Sequence, residues 1–153
     1  MGETRWLDAV QQRAWRSYID GSMRLAEMLE RDLKARHGLS MAEYEILVRL
    51  AEAPGRRLRM ASLAASVSQS RSRLSHTVRR LEAAGLVARE ACGTDRRGVE
   101  CVLTERGFGL LREAAPGHVE TVRELFVDVV APEDLEAIGR AFRAVGERID
   151  ALR

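Results

Sequence analysis

Lysine is nearly missing from this chain of 153 residues, which has one, Lys34, among 25 basic side chains. Long apolar runs are missing too. None approaches the roughly 20 residues that a membrane-spanning helix needs, and residues 1–6 are polar, without the core of a signal peptide. A cytoplasmic protein with no membrane partner is expected. Two cysteines, Cys92 and Cys101, and three scattered histidines lack the paired Cys-x-x-Cys spacing of a metal centre, so neither metal nor cofactor is expected. Catalytic constellations are absent as well: no paired carboxylates in a plausible pocket, no Ser-His-Asp set and no phosphate loop, and Gly107-x-Gly109 lacks the strand context of a nucleotide motif. An enzyme is therefore not expected. The hydrophobic content of 46% suffices to bury the core of one domain, or of one domain with a helical extension.

The charge that is present is unevenly placed. The formal net charge is +2, yet within residues 55–106 eleven arginines face five acidic side chains, a surplus of six that leaves −4 for the remainder. A basic segment between acidic flanks is the footprint of a polyanion-binding module set in a scaffold with another task. Arginine suits bidentate contacts to phosphate and guanine, although a compositional bias of the source genome accounts for a whole-chain arginine excess at least as well.

Residues 5–36 form a long helical pattern without proline, ended by His37-Gly38. Ser40 and Glu43 make a capping box, with Leu39 and Tyr44 at the staple positions, and open a helix that stops at Pro54-Gly55. A short helix over residues 59–66 follows. Ser68-Gln69-Ser70 then supplies turn and N-cap chemistry for a helix over 71–84 with the apolar stripe Leu74, Val78 and Leu81, closed by Gly85. Residues 86–92 and 99–103 read as two strands of a hairpin. Thr104 caps a final helical region over 105–130 that Pro116-Gly117 should kink. Pro132 opens the last helix, where Leu135, Ile138, Phe142, Val145, Ile149 and Leu152 form a heptad stripe.

The face of the 71–84 helix opposite its apolar stripe is centred on Ser72, His76 and Arg79 and flanked by Arg73, Ser75 and Arg80. Such a helix fits the major groove of B-DNA with its N-terminal half at the base edges. Ser70, Arg71, Ser72, Arg73, Ser75, His76, Arg79 and Arg80 are thus the candidate DNA contacts. At the hairpin tip, Arg96 and Arg97 suit the adjacent minor groove or its phosphates, and Asp95 suits fixing a neighbouring arginine; a generic polar turn is the alternative there.

The run Leu63-Ala64, Ser70-x-Ser72, Leu74-Ser75, Arg80-Leu81-Glu82, Gly85-Leu86-Val87-x-Arg89, Asp95-Arg96-Arg97-Gly98-Val99 and Leu103-Thr104-x-x-Gly107 resembles the MarR family of bacterial winged-helix transcriptional regulators. The resemblance covers essentially the whole chain. It implies a mainly α fold with a small β-hairpin wing: one domain over 1–153, with a winged helix-turn-helix DNA-binding lobe at 39–104 between dimerisation helices at 5–36 and 105–153. It further implies a homodimer that reads a pseudo-palindromic operator in double-stranded DNA, usually as a repressor, and often releases it when a small phenolic or lipophilic molecule binds or a cysteine is oxidised.

The residues also point to the dimer directly, because Trp6, Leu7, Val10 and the 135–152 stripe are apolar helix faces too long for one small lobe to cover, the alternative being that these helices pack on each other within one chain. Trp15, Tyr18, His37 and Met41 are the candidates to line an effector pocket between the first helices and the lobe, although such residues are more often plain core. Cys92 and Cys101 are symmetric about the hairpin tip, which makes them candidate cross-strand neighbours. A cytosolic pair is normally reduced and undistorted cross-strand bridges are uncommon, so two small buried thiols are expected. The alternatives to a ligand-relieved repressor are a thiol-redox regulator using Cys92 and Cys101, and a winged-helix module that docks its basic face on an acidic protein.

Overall fold

The Ser40 box closes on itself. The Ser40 hydroxyl accepts from the Glu43 N–H at 3.1 Å, and Glu43 Oε2 accepts from the Ser40 N–H at 2.8 Å, so two donors at the helix start find partners in one exchange. In the computed structural model, which describes residues 3–67, 69–93 and 98–152, this box opens α2 (Met41–Glu52) after α1 (Ala9–His37). Between them Gly38 takes φ 69°, a left-handed conformation suited to glycine. The first helix begins at Ala9, four residues later than expected, because Asp8 caps it. Asp8 Oδ1 accepts from the N–H groups of Val10 and Gln11 at 2.8 Å each, and Gln11 Oε1 accepts from the Asp8 N–H.

Next come β1 (Arg57–Arg59), α3 (Met60–Ser66), α4 (Arg71–Ala83), β2 (Val87–Ala91) and β3 (Val99–Leu103). The strands form one antiparallel sheet in the order β1-β3-β2. β1 is an addition to the elements expected, and it takes up Arg59, where the short-helix pattern begins. Three residues are too few to show a period, and the pairing partners, Val102, Cys101 and Glu100, lie more than 40 positions away. The hairpin register sets Arg89 opposite Cys101 and Ala91 opposite Val99, and the Cys92 N–H donates to the Gly98 carbonyl at 2.8 Å. Cys92 and Cys101 are therefore not the cross-strand neighbours that their symmetry about the tip suggests. Cys92 stands three positions along β2 from the partner of Cys101, an odd step that turns the two side chains to opposite faces of the sheet.

Leu74, Val78 and Leu81 of α4 are almost wholly buried with Ile46, Leu47 and Leu50 of α2. Gly85, at φ 72°, lets the chain leave α4 through a Schellman turn in which the Leu86 N–H reaches the Leu81 carbonyl at 2.9 Å. α5 (Glu105–Val122) starts from Thr104, whose Oγ1 accepts the Gly107 N–H at 3.0 Å. The helix continues through Pro116 to Val122, and its hydrogen bonding then widens into a π-helical turn at Arg123–Val127, where more α-helix was expected. Pro132 occupies the first turn of α6 (Pro132–Asp150).

The chain divides into two compact units, Ala26–His118 and Met1–Leu25 with Val119–Arg153. The first contains the core and the three-stranded sheet. In the second, Trp15 lies 5.7 Å from Tyr18, and Tyr18 5.1 Å from Phe142 of α6, between ring centroids. Much of that unit's apolar surface is open: Leu7, Val10, Phe142, Val145 and Ile149 are exposed. No helix among the described residues is long and apolar enough to cross a membrane.

Candidate nucleic-acid interface

α4 has two chemically distinct sides. Its N-terminus is held by Ser70, whose hydroxyl accepts the Arg73 N–H at 3.3 Å and lies 3.5 Å from the Ser72 hydroxyl. From there Arg71, Ser72, Arg73, Ser75, His76 and Arg79 are all exposed, while Leu74, Thr77, Val78 and Leu81 are buried. One helix thus displays three guanidiniums, two hydroxyls and an imidazole on a continuous surface, at the 3.6-residue period.

The four described acids of the basic segment are occupied elsewhere. Glu82 takes Arg89 at 2.6 Å, Glu90 and Glu100 take Arg57 at 3.5 and 3.2 Å, and Glu105 takes Arg56 at 2.9 Å. Arg89 beside it also holds the Glu82 carboxyl below its ordinary value, mainly through their side-chain hydrogen bond. Arg56, with a left-handed φ of 55°, lies over the Phe108 ring at 3.5 Å. Among the described residues, Arg71, Arg73 and Arg79 have no acidic partner. Three of the guanidiniums behind the +6 surplus therefore stand together on the outer face of α4.

Arg80, an exposed flank of that face, differs from its neighbours in being paired. Its Nη2 lies 2.8 Å from Oε1 of Glu43, a buried carboxylate on α2. Asp95, Arg96 and Arg97 lie outside the described residues, as does Ser68 of the turn before α4. At the base of the wing, Arg59 Nη2 reaches Cys92 Sγ at 3.5 Å. Cys101 is fully buried, and burial pushes its thiol up to about 11. Among the described residues, no three His, Cys, Asp or Glu side chains gather as metal ligands would.

The four effector candidates are divided between the units. Trp15 and Tyr18 meet at a tilt of 40°, both exposed, in one. In the other, His37 lines an open cleft of about 570 Å³ with Leu39, Leu86 and Leu110, and the Met41 N–H donates to Glu30 Oε2 at 2.6 Å while its side chain packs on the core. Sequence reasoning missed Gln69 and Thr77 as holders of α4, although the capping box had already marked Glu43.

Residues 37–98 match the model of the MarR family. The regulator MhqR of Bacillus subtilis, described as an HTH-type transcriptional regulator, is 31% identical over 114 residues, 72% of this chain and 74% of that protein. Among solved structures, AbsC, a MarR family transcriptional regulator from Streptomyces coelicolor, superposes with a TM-score of 0.92 at 47% identity, over 97% of this chain and 99% of that one. Sco3205, another from the same organism, solved in complex with DNA, superposes with a TM-score of 0.92 at 46% identity, over 95% and 91%. With this fold, this wing and a cationic outer face on α4, the chain belongs to the MarR family of transcriptional regulators.

Proposed function

We propose that the protein is a homodimeric repressor that sets α4 of each protomer in the major groove of one half of a pseudo-palindromic operator. The observation that carries this reading is the outer face of α4, where Arg71, Arg73 and Arg79 keep free guanidiniums beside Ser72, Ser75 and His76. Free guanidiniums can release counterions from phosphates and address guanine edges; paired ones cannot do so without breaking a bond. Asp95, Arg96 and Arg97 complete the interface from the wing, Arg96 and Arg97 at the minor groove and Asp95 as the fixer of an arginine. The DNA complex of Sco3205 supports the assignment. Residues 26–118 form the reading unit in this proposal, and residues 1–25 with 119–153, rich in exposed apolar side chains, form the dimerisation unit. Relief by a small aromatic or lipophilic effector belongs to the same proposal, with Trp15, Tyr18, His37 and Met41 as the residues to substitute first.

Binding is tested by fluorescence anisotropy on duplexes recovered by in vitro selection with the wild-type protein. A double Arg73→Ala, Arg79→Ala variant, still folded by circular dichroism, loses the selected duplex at moderate salt. If the wild type enriches no sequence, or the double variant binds as tightly, the reading is wrong.

A further inference from the structure

Two polar links join the first turn of α2 to the inner flank of α4. The Glu43 carboxylate makes the first. One oxygen closes the capping box on the Ser40 N–H at 2.8 Å and the other holds Arg80 at 2.8 Å, so a single side chain, 7% exposed, is shared between two helices. Gln69 makes the second: its Nε2 donates to the Ala42 carbonyl at 3.4 Å, and its Oε1 lies 3.2 Å from the hydroxyl of buried Thr77. Ala42 and Glu43 are consecutive on α2. Thr77 and Arg80 are three apart on α4, hence neighbours on one flank.

Arg80 stands at the edge between the two faces of α4, about 40° from His76 and 60° from Thr77 at 100° per residue. Its side chain decides which face it joins. It lines the 570 Å³ cleft with Gly38, Leu39, Ala84, Leu86 and Arg106, and no residue of the outer arginine face lines that cleft. A buried carboxylate left without its cation is costly, because the Ser40 N–H is then the one group left to compensate its charge. Releasing Arg80 to a phosphate would leave Glu43 in that state.

We infer that Glu43 and Arg80, with Gln69 and Thr77, form a strut that fixes the angle of α4 against α2, and that Arg80 is a positioning residue that does not touch DNA. The inference rests on the proposed reading of DNA by α4. A helix whose angle is set by the strut presents Arg73 and Arg79 to base edges in register; without it the same cations still meet phosphates, but not the right bases. Discrimination should then fall while non-specific binding stays.

The test uses the full-length protein with the selected duplex and a scrambled duplex of equal length, titrated over a salt series. Arg80→Ala should weaken the selected duplex about tenfold, leave the scrambled duplex unchanged, and leave the slope of log K on log salt unaltered. Glu43→Gln keeps a capping oxygen but loses the charge; it should behave likewise, and adding it to Arg80→Ala should cost nothing more. Arg79→Ala is the reference for a groove cation, with a slope shallower by about 0.9 for each phosphate that is no longer neutralised. If Arg80→Ala flattens the slope as Arg79→Ala does, while Glu43→Gln binds normally, Arg80 touches phosphate and the inference is overturned. A thermal-denaturation double-mutant cycle on Glu43 and Arg80 needs no DNA: coupled losses support the strut, and additive ones overturn it. Failure of the wild type to select any duplex would instead sink the DNA reading, with the cycle still deciding the strut.

Discussion

Gly107 lies so close beneath Leu86 that a Cβ built on it would stand 2.0 Å from the Leu86 carbonyl oxygen. The same carbonyl is held by Thr104, accepting its N–H at 3.2 Å and lying 3.0 Å from its hydroxyl. The Leu103-Thr104-x-x-Gly107 run is thus a docking device: Thr104 caps α5 and fastens it to the turn after α4, and Gly107 permits the approach. Gly107→Ala should destabilise the fold by about 3 kcal/mol, since backbone rather than a flexible side-chain end must move. Gly109→Ala, two positions along the same helix with nothing within 4 Å of the added carbon, should instead gain about 0.5–1 kcal/mol of helix propensity. Urea unfolding at one fixed protein concentration reads both, and equal losses would contradict the docking account.

What is legible in the sequence is local. The Ser40-Glu43 box, the Gly38 and Gly85 exits, Pro132 at its helix start and the Leu74-Val78-Leu81 stripe each depend on residues within a turn or two, and each forms. The features that escape a sequence reading depend on distant partners. β1 exists because β3, over 40 residues later, offers it hydrogen bonds. Symmetry about the Arg96-Arg97 tip gives the wrong hairpin register, because pairing of Val87 with Leu103 sets it three residues off in sum. Arg80 is indistinguishable from Arg79 until Glu43 stands beside it. The late start of α1 is the exception, a readable Asp8-Gln11 box masked by an apolar period that runs further.

Burial of Cys101 predicts an alkaline weakness. Its thiol ionises near 11 in the folded chain against an ordinary 9.0, so the folded state favours the protonated form. That contribution is complete below pH 9 and is lost as pH rises from 9 through 11, by up to about 2–3 kcal/mol. Tyr44, whose pKa burial also raises, adds to the decline, so the comparison is with Cys101→Val. The difference in unfolding free energy between wild type and variant should shift across that window, and a flat difference would show that the thiol is solvated. Oxidation with diamide should give no Cys92–Cys101 bridge, as read by mass spectrometry.

His118 predicts the acid side. Its ring lies 4.5 Å from that of Tyr44, Nδ1 is buried without a hydrogen-bond partner, and burial lowers its pKa below 6.5 against the opposing pull of Asp32. A depressed folded value means that stability is in place above pH 6.5 and drains as pH falls through the folded value, because only the unfolded chain takes up the proton easily. A proton NMR titration should place the His118 midpoint below 6.5. His118→Phe, which keeps the ring contact, should remove this part of the loss between pH 7 and pH 5 in paired unfolding curves; an unchanged loss would assign it to other groups.

The proposed dimer makes the last prediction. Phe142, Val145, Ile149 and Leu152 follow at spacings of 3, 4 and 3 along and just past α6, exposed by 44, 50, 47 and 70%. A stripe of that period, open to water apart from the contact of Phe142 with Tyr18, is what a second helix would cover, and covering it takes the exposed apolar area out of water. A charge placed within it should be intolerable in a dimer and harmless in a monomer. Ile149→Asp should therefore convert the sedimenting species from dimer to monomer with the helical circular dichroism retained, whereas Glu136→Ala, which removes only an exposed pair with Arg140, should leave the dimer intact. Because two linked reading units bind a two-part site with an effective concentration that one alone lacks, the Ile149→Asp monomer should also bind the full selected duplex at least about 100-fold more weakly. Its affinity for a half-site duplex should match that of the wild type. A wild type that sediments as a monomer and still binds the full duplex tightly would remove the dimer, and with it the two-fold operator.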